Sequence, residues 1–326
     1  MKGYQFEDTQ GTFHLKKAEN ISYLYFPIAG EAGLKSSLTP NLGGDAKIDQ
    51  NTFLLEPVSA ENLVNNRNSR NFWCNVKGIG SWSLTGNAAE ALSKKFTEMQ
   101  DDSEVTAGFM WQKTTRESKK YQLRGEILSF IPVEKNVELM LVTITNTGRM
   151  AQTVTPTAAI PLYGRSADNI RDHRHVTSLL HRIETTDIGV LVTPTLSFDE
   201  RGHQVNHMTY YCVGWSGNGE KPVDFYPTAE DFVGEGGNFE RPYAIVKKAE
   251  GVKAGTKIEG LEAVGGLHFS EVTLEPEEEC SYLIFTGITE DIQEIRNLSK
   301  TYTTREMVLE ELEKTKAYWQ EKVNVA

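Results

Sequence analysis

The chain has 326 residues, a formal net charge of −11, and 39% hydrophobic and 24% charged residues, so a sizeable core is possible. The acidic balance, with no Lys/Arg-rich run, argues against wholesale binding to nucleic acid or to an anionic membrane. No run of about eighteen apolar residues offers a membrane span, and the opening MKGYQFEDTQGTFHLKK lacks the apolar region of a signal peptide.

The first sixty residues read as short strands between turns. Residues 13–15, 21–26 and 52–55 are apolar or aromatic, and Pro27, Gly30, Gly33, Pro40, Gly43, Gly44 and Pro57 punctuate them. This favours a β-sandwich over alternating βαβ units. A polar run follows: Asn65, Asn66, Arg67, Asn68, Arg70 and Asn71 precede Phe72 and Trp73. Amides and guanidinium groups beside an indole suit sugar hydroxyls and C–H faces. A turn leading into a strand with a core tryptophan accounts for the same residues. Residues 88–99 predict a short helix with Ala91, Leu92, Phe96 and Met99 on one face.

Residues 105–112, 121–131 and 137–146 predict strands, the last apolar on both faces and therefore covered on both sides. Residues 153–162 read as a strand interrupted by Pro156 and Pro161, 189–196 as another, and 197–203 as a polar turn. Residues 207–215 are aromatic and β-like. Residues 216–242 read as a long polar loop, kept ordered by Phe225, Tyr226, Phe232, Phe239 and the following Tyr243. Strands resume at 267–274 and 280–288. From Thr289 the pattern turns helical: Thr303 and Glu306 have capping-box spacing, and Leu309, Leu312, Trp319 and Val323 recur at helical intervals. This helix either packs on the sandwich or leads to a further domain. Cys74, Cys212 and Cys280 are far apart without CxxC spacing and read as buried free thiols of a reducing, cytoplasmic setting.

The stretch 163–183, YGRSADNIRDHRHVTSLLHRI, concentrates Arg165, Arg171, Arg174 and Arg182 with His173, His175 and His181 and with Asp168 and Asp172. His173-x-His175 on a strand would place both rings on one face, but the neighbouring arginines oppose a cation and no third ligand is placed, so no metal is assigned. If the stretch is helical from Ala167, Arg171, His175 and Ser178 share a face. Arginine forks then suit sugar, carboxylate or phosphate oxygens. An internal salt-bridge lattice, with Asp168 and Asp172 neutralising Arg171 and Arg165, explains the composition equally well. His175 or His181 with Glu235 of GEGG would be an acid/base pair, though nothing forces that pairing. GEGG has no P-loop lysine, and no GxSxG nucleophile motif occurs.

The runs SLTPNLGGDAKIDQNTFLLEP, WSLTGNAAEALSKKF, PLYGRSADNIRDHRHVTSLLHRI, SFDERGH and DFVGEGG resemble the N-terminal part of bacterial 1,2-β-oligoglucan phosphorylases. These belong to the cellobiose-phosphorylase-like family, formerly glycosyltransferase family 36, which also includes the phosphorylase-like portion of cyclic β-1,2-glucan synthases. The resemblance covers almost the whole chain. It implies a mainly β fold, a galactose-mutarotase-like β-supersandwich over 1–288, followed over 289–326 by a helical linker toward an (α/α)6-barrel catalytic domain that this chain lacks. Members are inverting: an aspartic acid protonates the glycosidic oxygen while inorganic phosphate, a co-substrate and not a cofactor, attacks the anomeric carbon. That acid lies in the barrel, so no catalytic residue carries over and this chain is expected to be inactive alone. The resemblance implies as partners the chain's own barrel, a second subunit in a homodimer and β-1,2-glucan oligosaccharides. Arg165, Asn169, Arg171, His173, Arg174 and His175 are the positions expected to contribute to substrate or to an interface. A free-standing carbohydrate-binding sandwich and an aldose-epimerase-like enzyme are the alternatives.

Overall fold

The computed structural model describes residues 4–21, 24–59, 67–170, 174–199 and 202–325. Its backbone is an eleven-stranded antiparallel sheet whose middle is Leu123–Phe130, Val137–Asn146, Glu279–Thr289 and Thr209–Ser216. Strand Val137–Asn146 is buried at all ten positions. Its alternation explains why. Val137, Leu139 and Leu141 pack on one face with Leu283, Phe285, Tyr211, Val213 and Trp215. Met140, Val142 and Ile144 face the opposite way with Tyr282 and Ile284. A strand with period-two side chains that is apolar at both parities must be covered twice.

The second face is covered by a six-stranded sheet, in which Gln152–Leu162 lies between Asn71–Val76 and Ala263–His268, and by the four-stranded sheet built from Phe26–Ala29, Lys35–Leu38, Ala46–Asp49 and Thr52–Leu55. Each fully buried Leu, Ile or Phe in this core contributes about 1.5–3 kcal/mol. A wholly buried polar pair sits within it. Arg70 and Glu138 are both wholly buried; Arg70 Nε donates to Glu138 Oε1 at 2.5 Å and Nη2 to Oε2 at 2.9 Å. Ser36 Oγ adds a bond to Oε2 at 2.6 Å, and Arg70 Nη1 donates to the Gly44 carbonyl at 2.7 Å. The pair ties the four-stranded sheet to the long one.

The outer face of the long sheet is covered by the C-terminal helices. Asp291 caps helix Ile292–Thr301 by accepting from the Gln293 N–H at 2.8 Å. Ile295, Leu298, Tyr302, Val308 and Leu312 then bury against the sheet, and Trp215 Nε1 donates to the Tyr302 carbonyl at 3.0 Å. The terminal helix Arg305–Val325 therefore packs on the sandwich. Its buried stripe is Val308, Leu312 and Thr315, whereas Leu309 and Val323, expected in that stripe, are exposed. The Thr303–Glu306 spacing is one residue early, because the Met307 N–H meets Thr304 Oγ1 at 3.5 Å. Short helices Ala229–Val233 and Tyr243–Lys247 cover the outer face of the six-stranded sheet over Trp73, Tyr226 and Val264.

Several expectations change. Residues 105–112 are not one strand: Asp102–Gly108 and Trp111–Ser118 form a hairpin that turns at Phe109 and Met110, the latter with φ of 62°. The helix in 88–99 is only Ala89–Ser93, and Phe96 and Met99 are exposed. The 21–26 strand begins only at Phe26, and residues 22–23 lie outside the described residues. The polar loop 216–242 contains the fully buried strand Asp224–Thr228, which pairs with Ala263–His268. Strand Gln152–Leu162 is continuous despite its prolines. Pro156 sits where the neighbouring chain breaks between Ala263–His268 and Val272–Leu274, and Pro161 lies past the pairing with Asn71–Val76. Cys74 and Cys212 are buried free thiols, and Cys280 is half-buried and free.

Candidate functional site

Strand Gln152–Leu162 delivers the charged stretch to one end of the sandwich. The Tyr163 N–H donates to the Leu54 carbonyl at 2.8 Å and the Phe53 N–H to the Arg165 carbonyl at 3.0 Å, so the stretch leaves the sheet clamped to the four-stranded layer. It is not one helix. A 3-10 turn, Ala167–Ile170, precedes helix Arg174–Ser178, and Arg182–Thr185 is already strand near the far edge of the long sheet. Arg171 and His173 lie outside the described residues. Arg174 and His175 open the short helix.

Arg165 is 6% exposed. Its guanidinium lies 4.5 Å over the Tyr163 ring, donates from Nε to the Tyr163 carbonyl at 2.9 Å and from Nη1 to Thr177 Oγ1 at 3.1 Å, and forms an ion pair with Glu262. Asn169, also buried, donates to Ser166 Oγ at 2.6 Å. These two side chains fold the stretch onto itself. Among the described residues Arg165 pairs with Glu262, a residue that composition gave no reason to select; Asp172 lies outside the described residues. Arg182 donates to the carbonyls of Leu179 and His181 at 3.0 and 2.9 Å, bracing the turn that follows the short helix.

His181 does not suit acid/base work near neutral pH. It is fully buried, with Nδ1 3.1 Å from the Leu261 carbonyl. Burial first, and the Arg165 cation second, push its pKa down to about 3. Nδ1 carries the proton toward that carbonyl and the ring stays neutral. Glu235 is exposed on its loop.

Several segments converge beside Arg165. Glu56, Arg67, Tyr163, Phe239 and Glu262 line a small cleft at the ends of strands Gln152–Leu162 and Ala263–His268. Of the polar run, only Arg67 reaches this cleft among the described residues; Asn65 and Asn66 lie outside them. Asn68, Arg70 and Asn71 turn inward instead. Asn71 Oδ1 accepts from Ser83 Oγ at 2.7 Å and Thr85 Oγ1 at 2.9 Å, and Trp73 is 2% exposed beneath the short helices. The sugar-site reading of those four residues is thus replaced by a core role. Around the site the surface is apolar: Val176, Leu179 and, on the small hairpin Leu196–Asp199 with Gly202–Val205, Val205 are 60–65% exposed. The arrangement sets a buried ion pair beside exposed apolar side chains, around a cleft of about 20 Å3 that is too small to enclose a sugar. Among the described residues no group of His, Cys, Asp and Glu is placed to hold a metal ion, and no described helix is long and apolar enough to cross a membrane.

Comparison with solved structures finds a protein described as a kojibiose phosphorylase from the human microbiome, 8% identical with a TM-score of 0.47, covering 97% of this chain and 38% of that one. A bacterial glucoamylase complexed with acarbose is 9% identical with a TM-score of 0.43, covering 99% and 38%. A protein of Escherichia coli K12 described as an aldose 1-epimerase is 9% identical with a TM-score of 0.41, covering 82% and 99%. The chain therefore spans well under half the length of the first two. No curated protein matches it. The family model described as glycosyl hydrolase 94, supersandwich domain, matches residues 56–305. That match begins at Glu56 in the cleft, takes in the six-stranded sheet, all but the first two strands of the long sheet and helix Ile292–Thr301, and spans most of the chain; the chain belongs to the glycosyl hydrolase 94 supersandwich domain family.

Proposed function

We propose that this chain is the non-catalytic N-terminal domain of an inverting glycoside phosphorylase that converts β-1,2-linked oligoglucans and inorganic phosphate to α-glucose 1-phosphate. In this reading residues 1–288 are the supersandwich, and the helices of 289–326 lead on to an (α/α)6-barrel that holds the catalytic acid. The observation that carries it is the 163–183 end. Arg165 and Asn169 are spent internally, holding the stretch against Glu262, Thr177 and Ser166. The apolar side chains beside it stay exposed. That is the form of a rim that completes a site or interface with another body. Arg171, His173, Arg174 and His175 are the groups assigned to substrate or interface, with Arg165 and Asn169 as positioning residues. The functional assembly is assigned as a cytoplasmic homodimer.

The decisive experiment pairs two assays. The 326-residue chain, given phosphate and sophorose oligosaccharides, releases no glucose 1-phosphate, whereas the product of the reading frame continued past Ala326 does. Turnover by the chain alone, or a continued product inert toward these substrates, overturns the proposal. A carbohydrate-binding sandwich working alone is the second reading, favoured by a core complete on both faces of the long sheet. Calorimetry with β-1,2-glucans decides it, and absence of heat at millimolar ligand removes it.

A further inference from the structure

The edge of the long sheet opposite the 163–183 end holds an open groove of about 360 Å3, within the ~300–1,000 Å3 of small-molecule sites. Its walls are the turn after strand Tyr4–Phe6, the Asp102–Gly108/Trp111–Ser118 turn and the flank of the terminal helix. Asp8, Gln10, Phe109, Trp111, Lys316 and Gln320 line it.

Both turns are cut back to seat aromatic rings. A Cβ on Gly11, whose φ is +89°, would lie 3.0 Å from the Phe109 ring, and one on Gly108 would lie 2.4 Å from Trp111 Nε1. Phe109 is left 38% exposed. Lys316 Nζ sits 4.5 Å over the Trp111 ring and bonds Glu313 at 2.8 Å. Asp8 Oδ1 fixes the first turn by accepting from the N–H groups of Gln10 and Thr12 at 2.8 and 3.0 Å. The side-chain amide of Gln10 has no hydrogen-bond partner among the described residues and remains available. Asp8 and Glu313 outnumber Lys316 in a chain of net charge −11, which disfavours an anionic ligand. Aromatic rings with amides and carboxylates at an open groove suit a neutral, polyhydroxylated chain, whose C–H faces pack on rings and whose hydroxyls bond the amides.

We propose that this groove is a second carbohydrate-binding site, taking a neutral glucan chain. It goes beyond the role assigned to the 163–183 end and does not depend on it. Strand Trp111–Ser118 lies six strand steps from Arg182–Thr185 in the sheet order, on the order of 30 Å at about 4.8 Å per step. A short oligosaccharide cannot occupy both places.

The test runs the whole 326-residue chain through native gels containing soluble β-1,2-, β-1,3- or β-1,4-linked glucan. The expected result is retardation by at least one glucan. Association should weaken at least about tenfold in Phe109→Ala, the loss of one well-packed aromatic contact, and measurably in Gln10→Ala. Phe96→Ala, which removes another exposed ring at 72% exposure, should leave it unchanged. Should Phe109→Ala misfold, as judged by near-UV circular dichroism, Gln10→Ala on its exposed turn decides alone. Absence of retardation by every glucan overturns the proposal, as does wild-type retardation of a folded Phe109→Ala or, in its place, of Gln10→Ala. Concentration-dependent dimerisation abolished by Phe109→Ala, without glucan binding, overturns it in favour of a contact between copies. None of these outcomes bears on phosphorolysis, so the two proposals fail separately.

Discussion

Replacing Arg70 by Met tests the polar pair in the core most directly. The substitution nearly preserves the volume of the aliphatic stem, so cavity formation contributes little. What changes is the company of Glu138: of three hydrogen bonds to its carboxylate, the two from Arg70 vanish and only the one from Ser36 remains. The Gly44 carbonyl also loses its guanidinium donor. Removing one member of a wholly buried ion pair costs about 3–5 kcal/mol, a large share of the ~5–15 kcal/mol that holds a domain folded. Urea denaturation followed by tryptophan fluorescence reads this as a lower midpoint at unchanged slope. The double variant Arg70→Met/Glu138→Leu should recover most of the loss, because no unpaired charge is left. A loss below about 1 kcal/mol, or a double variant as unstable as the two singles summed, would refute the reasoning.

Other expectations follow from the same contacts. The pKa of His181 is depressed to about 3 in the fold, against ~6.5 unfolded. Its contribution is complete above pH 6.5 and is lost as pH falls toward 3, at most about 1.4 kcal/mol per pH unit; thermal unfolding between pH 6.5 and 4 should flatten by up to one proton's worth in His181→Gln. Leu312→Ala opens a cavity beneath the terminal helix and should cost about 2–5 kcal/mol, with hydrogen exchange accelerating first in 305–325. Thr177→Val removes the acceptor of Arg165 Nη1 and should cost about 1–3 kcal/mol. Limited proteolysis should then cut first within 163–183, and cleavage elsewhere would contradict the positioning role of Arg165.

How much could be read from the sequence depended on whether a signal was local. Strands Thr52–Leu55 and Val137–Asn146 match their expected bounds because β-branched and apolar residues dominate between turn signals, with Glu138 the one charge in either strand. The hairpin at Phe109 and Met110 was hidden because Met110 takes the left-handed conformation with no glycine or proline at the tip. Leu92, Phe96 and Met99 satisfied a helical period yet stay exposed, since periodicity alone supplies no surface to pack on. The short strand Asp224–Thr228 was masked by its polar and proline-bearing flanks; its aromatics, taken as ballast for a loop, are buried sheet residues. At the site the limitation is pairing. Arg165 meets Glu262 across 97 positions, and Arg70 meets Glu138 across 68. Composition identified charge-rich stretches but could not distinguish a guanidinium available to ligand from one consumed by the core.

The long sheet acts as a septum, with strand Val137–Asn146 and its neighbours shared by two cores that otherwise do not touch. A boundary drawn at residue 288 falls one residue inside strand Glu279–Thr289, and the helices beyond it pack on the long sheet. Cutting there would strip the helices from Tyr211, Val213, Trp215, Leu283 and Phe285, leaving a continuous apolar face of the kind that drives self-association. The helices beyond 288 are therefore a wall of the sandwich. A force applied to the C-terminal end would be felt first in the strands that carry both cores.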